Sequence, residues 1–261
     1  MAESEKKSVP VLEAENLSIV FGGLHAVDDV HFTLHENQIM GLIGPNGAGK
    51  TTVFNLLTGV YTPTTGQIKL DGRSILGKKT YQITKMGVAR TFQNIRLFKD
   101  MSVLDNVRVA MNQKMNYSAL AGILGLPSYW REEAAVEEKA MDLLRVFHLE
   151  GHAQDRAKNL PYGQQRKLEI ARALAGDPKV LLLDEPAAGM NPTETAELME
   201  TIELIRSRFH VAILLIEHDM SFVMGICEHL VVLDYGRIIA SGTPEEVRTN
   251  PKVITAYLGG E

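Results

Sequence analysis

Gly44-Pro45-Asn46-Gly47-Ala48-Gly49-Lys50-Thr51, continued by Thr52, satisfies the pattern G-x-x-x-x-G-K-[ST] at every fixed position. The apolar run Ile39-Met40-Gly41-Leu42-Ile43 leads into it, and the helix-compatible run Thr52-Val53-Phe54-Asn55-Leu56-Leu57 leads out. The spacing therefore predicts strand, loop and helix in succession. Glycines let consecutive backbone N–H groups curl inward around a polyphosphate, and the following helix adds its positive N-terminal end. In that arrangement Lys50 reaches the β- and γ-phosphates and the Thr51 hydroxyl ligates Mg²⁺.

A phosphate loop needs carboxylates to complete its chemistry, and two later strands supply them. Val180-Leu181-Leu182-Leu183 is an apolar run of buried-strand length ending in Asp184-Glu185-Pro186. Asp184 is placed to hold the metal shell, and Glu185 to polarise a water. Val211 to Ile216 is a second such run, closing with Glu217-His218-Asp219, so His218 sits where a strand end delivers a side chain to the γ-phosphate.

The bulk of the chain frames these motifs. At 261 residues, with 45% hydrophobic and 23% charged composition, it suits one α/β domain carrying an elaboration. A net charge of −5 argues against a general nucleic-acid binder. Cys227 is the only cysteine, so no internal disulfide forms and a reducing compartment is expected. The polar start, Met1 to Ser8, lacks the apolar core of a signal peptide, and no apolar run approaches membrane-spanning length. Any membrane role is therefore expected to be peripheral.

In chain order, Val11 to Val20 reads as a strand broken at Phe21-Gly22-Gly23, with a second strand near His31 to Leu34. Phe21 could stack on a purine or close a core at a strand end. Gln67 to Leu70 alternates as a further strand, and these early strands read as antiparallel. Gly87 to Gln93 is a short strand whose last residue, Gln93, is either a metal-reaching amide or a solvated glutamine. Beyond Asn94 the pattern turns helical: Val103 to Met111 has an apolar face, and Arg131 to Leu149 is acidic with Leu143, Leu144 and Phe147 at helical spacing. Between them, Met115 to Trp130 is apolar enough either to pack on its own subdomain or to dock a membrane partner. Leu160-Pro161-Tyr162-Gly163-Gln164-Gln165-Arg166 opens a helix stopped by Gly176-Asp177-Pro178, and Glu194 to Arg208 is an amphipathic helix. A hairpin about Gly236 and a short helix capped at Thr243 follow.

Phosphate loop, Gln93, the Leu160 to Gln164 segment, Asp184-Glu185 and His218, in that order, resemble the ATPase subunit of an ATP-binding cassette (ABC) transporter. The likeness extends from Leu12 to Gly260. More narrowly, Ala89 to Phe98, the insertion that follows, Tyr162 to Arg166 and the tail Ala256-Tyr257-Leu258-Gly259 are similar to one of the two ATPases of bacterial branched-chain amino acid importers. The resemblance implies a P-loop α/β fold with a RecA-like core, an antiparallel β subdomain and a helical subdomain. It places the ATPase domain over residues 10–261, the helical subdomain over 94–165 and a flexible stretch over 1–9. ATP is then bound by Phe21, stacked on adenine, and by Gly44 to Thr52. Mg²⁺ is held by Thr51, Gln93 and Asp184, and catalysis falls to Glu185 as base with His218 and Gln93. Leu160, Pro161, Tyr162, Gly163 and Gln164 form the signature that completes the ATP site of a second cassette in a head-to-tail dimer, heteromeric in the transporter or homomeric in isolation. Integral membrane subunits are the implied partners, nucleic acid is not, and the implied location is the cytoplasmic face of the inner membrane.

Two departures from the family pattern stand out. The usual Leu-Ser-Gly-Gly-Gln reads Leu-Pro-Tyr-Gly-Gln here, removing the serine hydroxyl that touches the opposing γ-phosphate. Asn191 stands where the loop after the glutamate commonly has aspartate, keeping the reach and dropping the charge. The expected activity is ATP hydrolysis driving branched-chain amino acid uptake. The alternatives are an export cassette for lipid or polysaccharide, and a non-transport cassette working on ribosomes or nucleic acid.

Overall fold

The computed structural model describes residues 9–111 and 127–258. Ile39–Ile43 (β3) lies inside a six-stranded sheet, between Ala212–Ile216 (β8) and His229–Asp234 (β9), both parallel to it. Val180–Asp184 (β7) and Val88–Arg90 (β6) continue the parallel run beyond β8, while Arg237–Gly242 (β10) returns antiparallel along β9 through the Tyr235-Gly236 turn. Every residue of β3, β7 and β8 is buried, which is why their sequences are continuous apolar runs rather than alternating ones.

Alternate side chains of these strands enter two cores. Ile39, Ile43, Leu181, Leu183, Ile213 and Leu215 face helices. Met40, Leu42, Leu182, Leu214 and Ile216 face the opposite way, toward Val53 and Phe54 of Lys50–Leu57 (α1) and toward a second sheet. That sheet is antiparallel throughout, built from Pro10–Phe21 (β1), Leu24–His35 (β2), Thr65–Leu70 (β4) and Arg73–Ser74 (β5) in the order β2-β1-β4-β5. β2 begins at Leu24 rather than near His31. Gly22 and Gly23 take φ of 53° and 91° and make a hairpin turn, and shifts in register carry the charged pair Asp28-Asp29 within the strand, with Asp29 at φ 54°. Irregular pairing of this kind hides a strand from an alternation test.

Between β6 and β7 the chain is helical: Val103–Met111 (α3, after Thr80–Met86 as α2), Pro127–Val146 (α4) and Tyr162–Leu174 (α5). α3 matches its expected span. α4 starts before Arg131 and ends at Val146, with His148 in a left-handed turn (φ 56°) after it. The apolar stretch Met115 to Trp130 lies outside the described residues up to position 126. Of the remainder, Trp130 is exposed, edge-on to Tyr129 with ring centroids 5.3 Å apart. Pro192–Phe209 (α6) begins two residues before Glu194, because Asn191 caps it: the Asn191 side chain accepts the Glu194 N–H at 3.0 Å while the Glu194 carboxylate accepts the Asn191 N–H. Met220–Ile226 (α7), Pro244–Arg248 (α8, capped by Thr243) and Pro251–Leu258 (α9) complete the described chain.

Close packing around β3 sets a specific requirement at Gly41. A Cβ there would lie 2.7 Å from Leu230 Cδ2 and 3.1 Å from the sulfur of Cys227, whose thiol pKa is pushed up by burial. We expect Gly41→Val to lower stability by about 1–3 kcal/mol, the cost of overpacking a filled core, measured by urea denaturation.

Candidate functional site

Three parallel strands end at one edge of the sheet, and the loop after each carries a predicted site residue. The pairing of Asp184 with Ile216 sets β7 against β8 so that the Glu185 N–H donates to the Ile216 carbonyl at 2.9 Å. Glu185, Glu217 and His218 thereby leave the sheet side by side. The loop from Gly44 leaves β3 at the same edge, as expected for a crevice at the carboxyl ends of an open α/β sheet.

The loop itself is tightly held. Gly44 (φ 150°) passes so close to β9 that a Cβ would sit 2.1 Å from the Leu233 carbonyl oxygen. Lys50 is buried, and its Nζ donates to the carbonyls of Gly44 at 2.7 Å and Pro45 at 2.9 Å, arching back over its own loop. Burial lowers the Lys50 pKa, with Glu185 and Asp184 acting in the opposite direction. A cleft of about 450 Å³ runs along Asn46 to Thr52, bounded by Glu185, by the Tyr235-Gly236 turn and by Gly23 to Ala26 of the β1–β2 hairpin. Phe21 does not line it. Its ring stands edge-on to Tyr61, centroids 5.2 Å apart, and is 43% exposed at the mouth of that hairpin.

Gln93, Glu185 and His218 meet at the edge of the cleft. Gln93 Nε2 donates to Glu185 Oε2 at 2.8 Å, and His218 Nδ1 lies 3.9 Å from the same oxygen. Glu185 adopts φ 48°, an uncommon left-handed conformation for a non-glycine residue and one that recurs at functional sites. Asp184, one residue earlier, turns its Oδ2 to Arg90 Nη2 at 2.7 Å.

Two contributors escaped the sequence reading. Arg90, on β6, holds Asp184 with one nitrogen and Asn55 of α1 with the other at 2.8 Å, its guanidinium lying over the rings of Phe54 and Phe92. The only signal was a cation on a short strand destined to lie beside an acidic strand end. Glu217 is 1% exposed and accepts the amides of Ala187 at 2.8 Å and His218 at 3.2 Å, tying the loop after Glu185 to the histidine. Burial raises its carboxyl pKa, and those two amides oppose the rise.

The segment Leu160 to Gln164 lies away from this cleft. Pro161 occupies the N-cap position of α5, and Tyr162 is exposed with its ring against Gly189. Gly163 is buried where a Cβ would meet Glu194 Oε1 at 2.8 Å. Asn191 is engaged as the α6 cap, a role an aspartate would serve equally.

The donors expected around a metal are a hydroxyl (Thr51), an amide oxygen (Gln93) and a carboxylate (Asp184), all hard oxygens suited to Mg²⁺. Among the described residues no group of three or more His, Cys, Asp and Glu side chains forms a cage.

The sequence model described as "ABC transporter" matches residues 27–188. The chain belongs to the ABC transporter family. It is that family's ATPase cassette, and a further model, "Branched-chain amino acid ATP-binding cassette transporter", matches residues 237–261. The chain is similar to the high-affinity branched-chain amino acid transport ATP-binding protein BraF of Pseudomonas aeruginosa, 50% identical over 97% of this chain and 99% of the relative. It is also similar to LivG of Escherichia coli K12, likewise named a high-affinity branched-chain amino acid transport ATP-binding protein, at 49% with the same coverage. Among solved structures, the ADP conformation of MJ1267, an ATP-binding cassette of an ABC transporter, superposes with a TM-score of 0.83 at 31% identity, covering 97% of this chain and 99% of the other. The α/β cassette with an antiparallel sheet and a helical insertion, expected from the sequence, is the observed fold of this ABC ATPase.

The Arg90–Asp184 pair is buried on both sides, 8% and 7% exposed. Arg90→Met should therefore cost the cassette about 3–5 kcal/mol by leaving a buried carboxylate unpaired. Adding Asp184→Asn should return part of that stability, read as a double-mutant cycle in chemical denaturation.

Proposed function

We propose that this cassette hydrolyses ATP to drive uptake of branched-chain amino acids through integral membrane subunits, bound peripherally at the cytoplasmic face of the membrane. The observation that carries the catalytic part is the hydrogen bond from Gln93 to Glu185 beside the phosphate loop. The C-terminal match at residues 237–261 and the named relatives support the solute class. No helix among the described residues is long and apolar enough to cross a membrane, so the translocation path would come from other chains.

In this reading the backbone amides of Gly44 to Thr52 and the Lys50 ammonium bind the phosphates, and Phe21 stacks on adenine. Lys50 exchanges the carbonyls of Gly44 and Pro45 for phosphate oxygens, an exchange its burial favours because the ammonium gains a charged partner. Thr51, Gln93 and Asp184 would hold Mg²⁺, which supplies neutralisation of the charge on the β- and γ-oxygens when bound. Arg90 fixes the Asp184 carboxylate for that purpose.

Glu185 accepts the proton of the attacking water, and His218 orients toward the γ-phosphate. The base is engaged while Gln93 Nε2 occupies its Oε2, so turning the Gln93 amide outward releases the carboxylate. Glu217 keeps His218 and the loop of Ala187 in register with the base. Leu160 to Gln164 serves the nucleotide of a second cassette in a head-to-tail dimer.

Glu185→Gln should reduce ATP turnover by about 10²–10⁴-fold while ATP still binds, with Lys50→Ala as the non-binding control. Wild-type turnover by Glu185→Gln would remove Glu185 as the base. Co-purification of membrane subunits that confer ATP-dependent uptake of branched-chain amino acids tests the transport assignment. Export of a substrate, or stimulation by ribosomes in place of membrane subunits, would overturn it.

The missing signature serine acts on the partner's nucleotide, so in a heterodimer the two ATP sites should turn over at different rates. Pro161→Ser should bring them closer together, measured by inactivating one site at a time. Unchanged rates at both sites would count against this asymmetry.

A further inference from the structure

Arg166, in the first turns of α5, is fully buried, and burying a guanidinium is costly unless its charge is paired and its terminal nitrogens bonded. Nε has no hydrogen-bond partner, but both terminal nitrogens are spent, chiefly on another part of the chain. Nη1 donates to the Phe92 carbonyl at 2.6 Å, and Nη2 donates to the Gln93 carbonyl at 2.6 Å. Glu169, one turn along the same helix, balances the charge at 2.9 Å and accepts the Arg96 N–H at 3.0 Å with its other oxygen. The backbone on both sides of Gln93 is thus bound to α5 by an arginine fork and a carboxylate.

The same arginine faces the signature turn, four residues before it on the helix. Nη2 lies 3.4 Å from the Tyr162 hydroxyl, and the Tyr162 ring packs against Gly189 in the loop that follows Glu185. Gln93 in turn holds Glu185 through its side chain. A continuous set of contacts therefore leads from the base of this chain's own cleft, through Gln93 and Arg166, to a surface that lies outside that cleft.

We propose that Arg166 is a positioning residue that makes the Gln93 segment and the Leu160 to Gln164 turn move as one body. A nucleotide in this chain's cradle then sets the signature surface offered to the partner's nucleotide. The proposal rests on the ATPase reading above and adds the residue through which occupancy of one site reaches the other.

The test is hydrogen–deuterium exchange of the full chain, kept dilute enough to be monomeric and titrated with Mg²⁺-ATP in the Glu185→Gln background. With no partner present, any response of residues 160–165 is internal. We expect residues 92–96 and 160–165 to change exchange rate with the same ATP midpoint. In Arg166→Lys, which keeps the charge opposite Glu169 and loses the fork, residues 92–96 should still respond while the change at 160–165 falls at least fivefold. The neutral pair Arg166→Met with Glu169→Gln, which removes the buried charges together, should show the same separation. Its ATP affinity should stay within about twofold of the parent, since neither residue lines the cradle; a tenfold affinity change is the 1.4 kcal/mol effect of a direct contact. Segments that still respond in step in both variants would overturn the proposal, and so would different midpoints in the parent chain, a result that needs no variant to fold. If residues 44–52 of the parent show no response to ATP, the ATPase reading fails, and the proposal with it.

Discussion

The parallel pairing of β3, β8 and β7 is the constraint from which the rest follows. These strands are buried on both faces, so polar side chains are excluded along their length and concentrate where the strands end. Their common direction puts those ends on one edge. The Asp184–Ile216 register then decides that Glu185 emerges beside Glu217 and His218 rather than one residue out of step. A one-residue slip would exchange the two cores as well as scatter the site, since Leu181 and Leu183 face the helices while Leu182 faces the second sheet.

Charge at that edge is handled by pairing. Asp184 has Arg90, Glu217 has two backbone amides, and Lys50 has two carbonyls of its own loop. Of these, only Asp184 is hydrogen-bonded to a charged partner; Glu217 and Lys50 are met by neutral backbone groups. A polyphosphate entering the cleft meets an ammonium whose present ligands are neutral and easily surrendered. In the proposed function, affinity comes from an exchange of acceptors within a site that is already shaped.

Much of this was legible in the sequence because the informative signals are local. Strand, glycine loop and helix occur within about twenty residues around Lys50, and the apolar runs before Asp184 and Glu217 announce fully buried strands. What escaped depends on contacts between distant segments. A bulged register hides Val27 to Val30 of β2 from an alternation test, and the role of Arg90 exists only once β6 is set beside β7. Arg166 gave no sign at all, since a cation in a polar helix opening is normally solvated and only the fold closes Phe92, Gln93 and Glu169 around it.

The core around Gly41 has a practical consequence. The single thiol of this chain, on Cys227, is sealed in that core and held protonated by its surroundings, and only the thiolate reacts with alkylating or oxidising reagents. The native cassette therefore behaves chemically as though it contained no cysteine. A thiol introduced on the surface would be the one a probe finds. Modification of Cys227 would in turn report that the sheet at the centre of the molecule had opened.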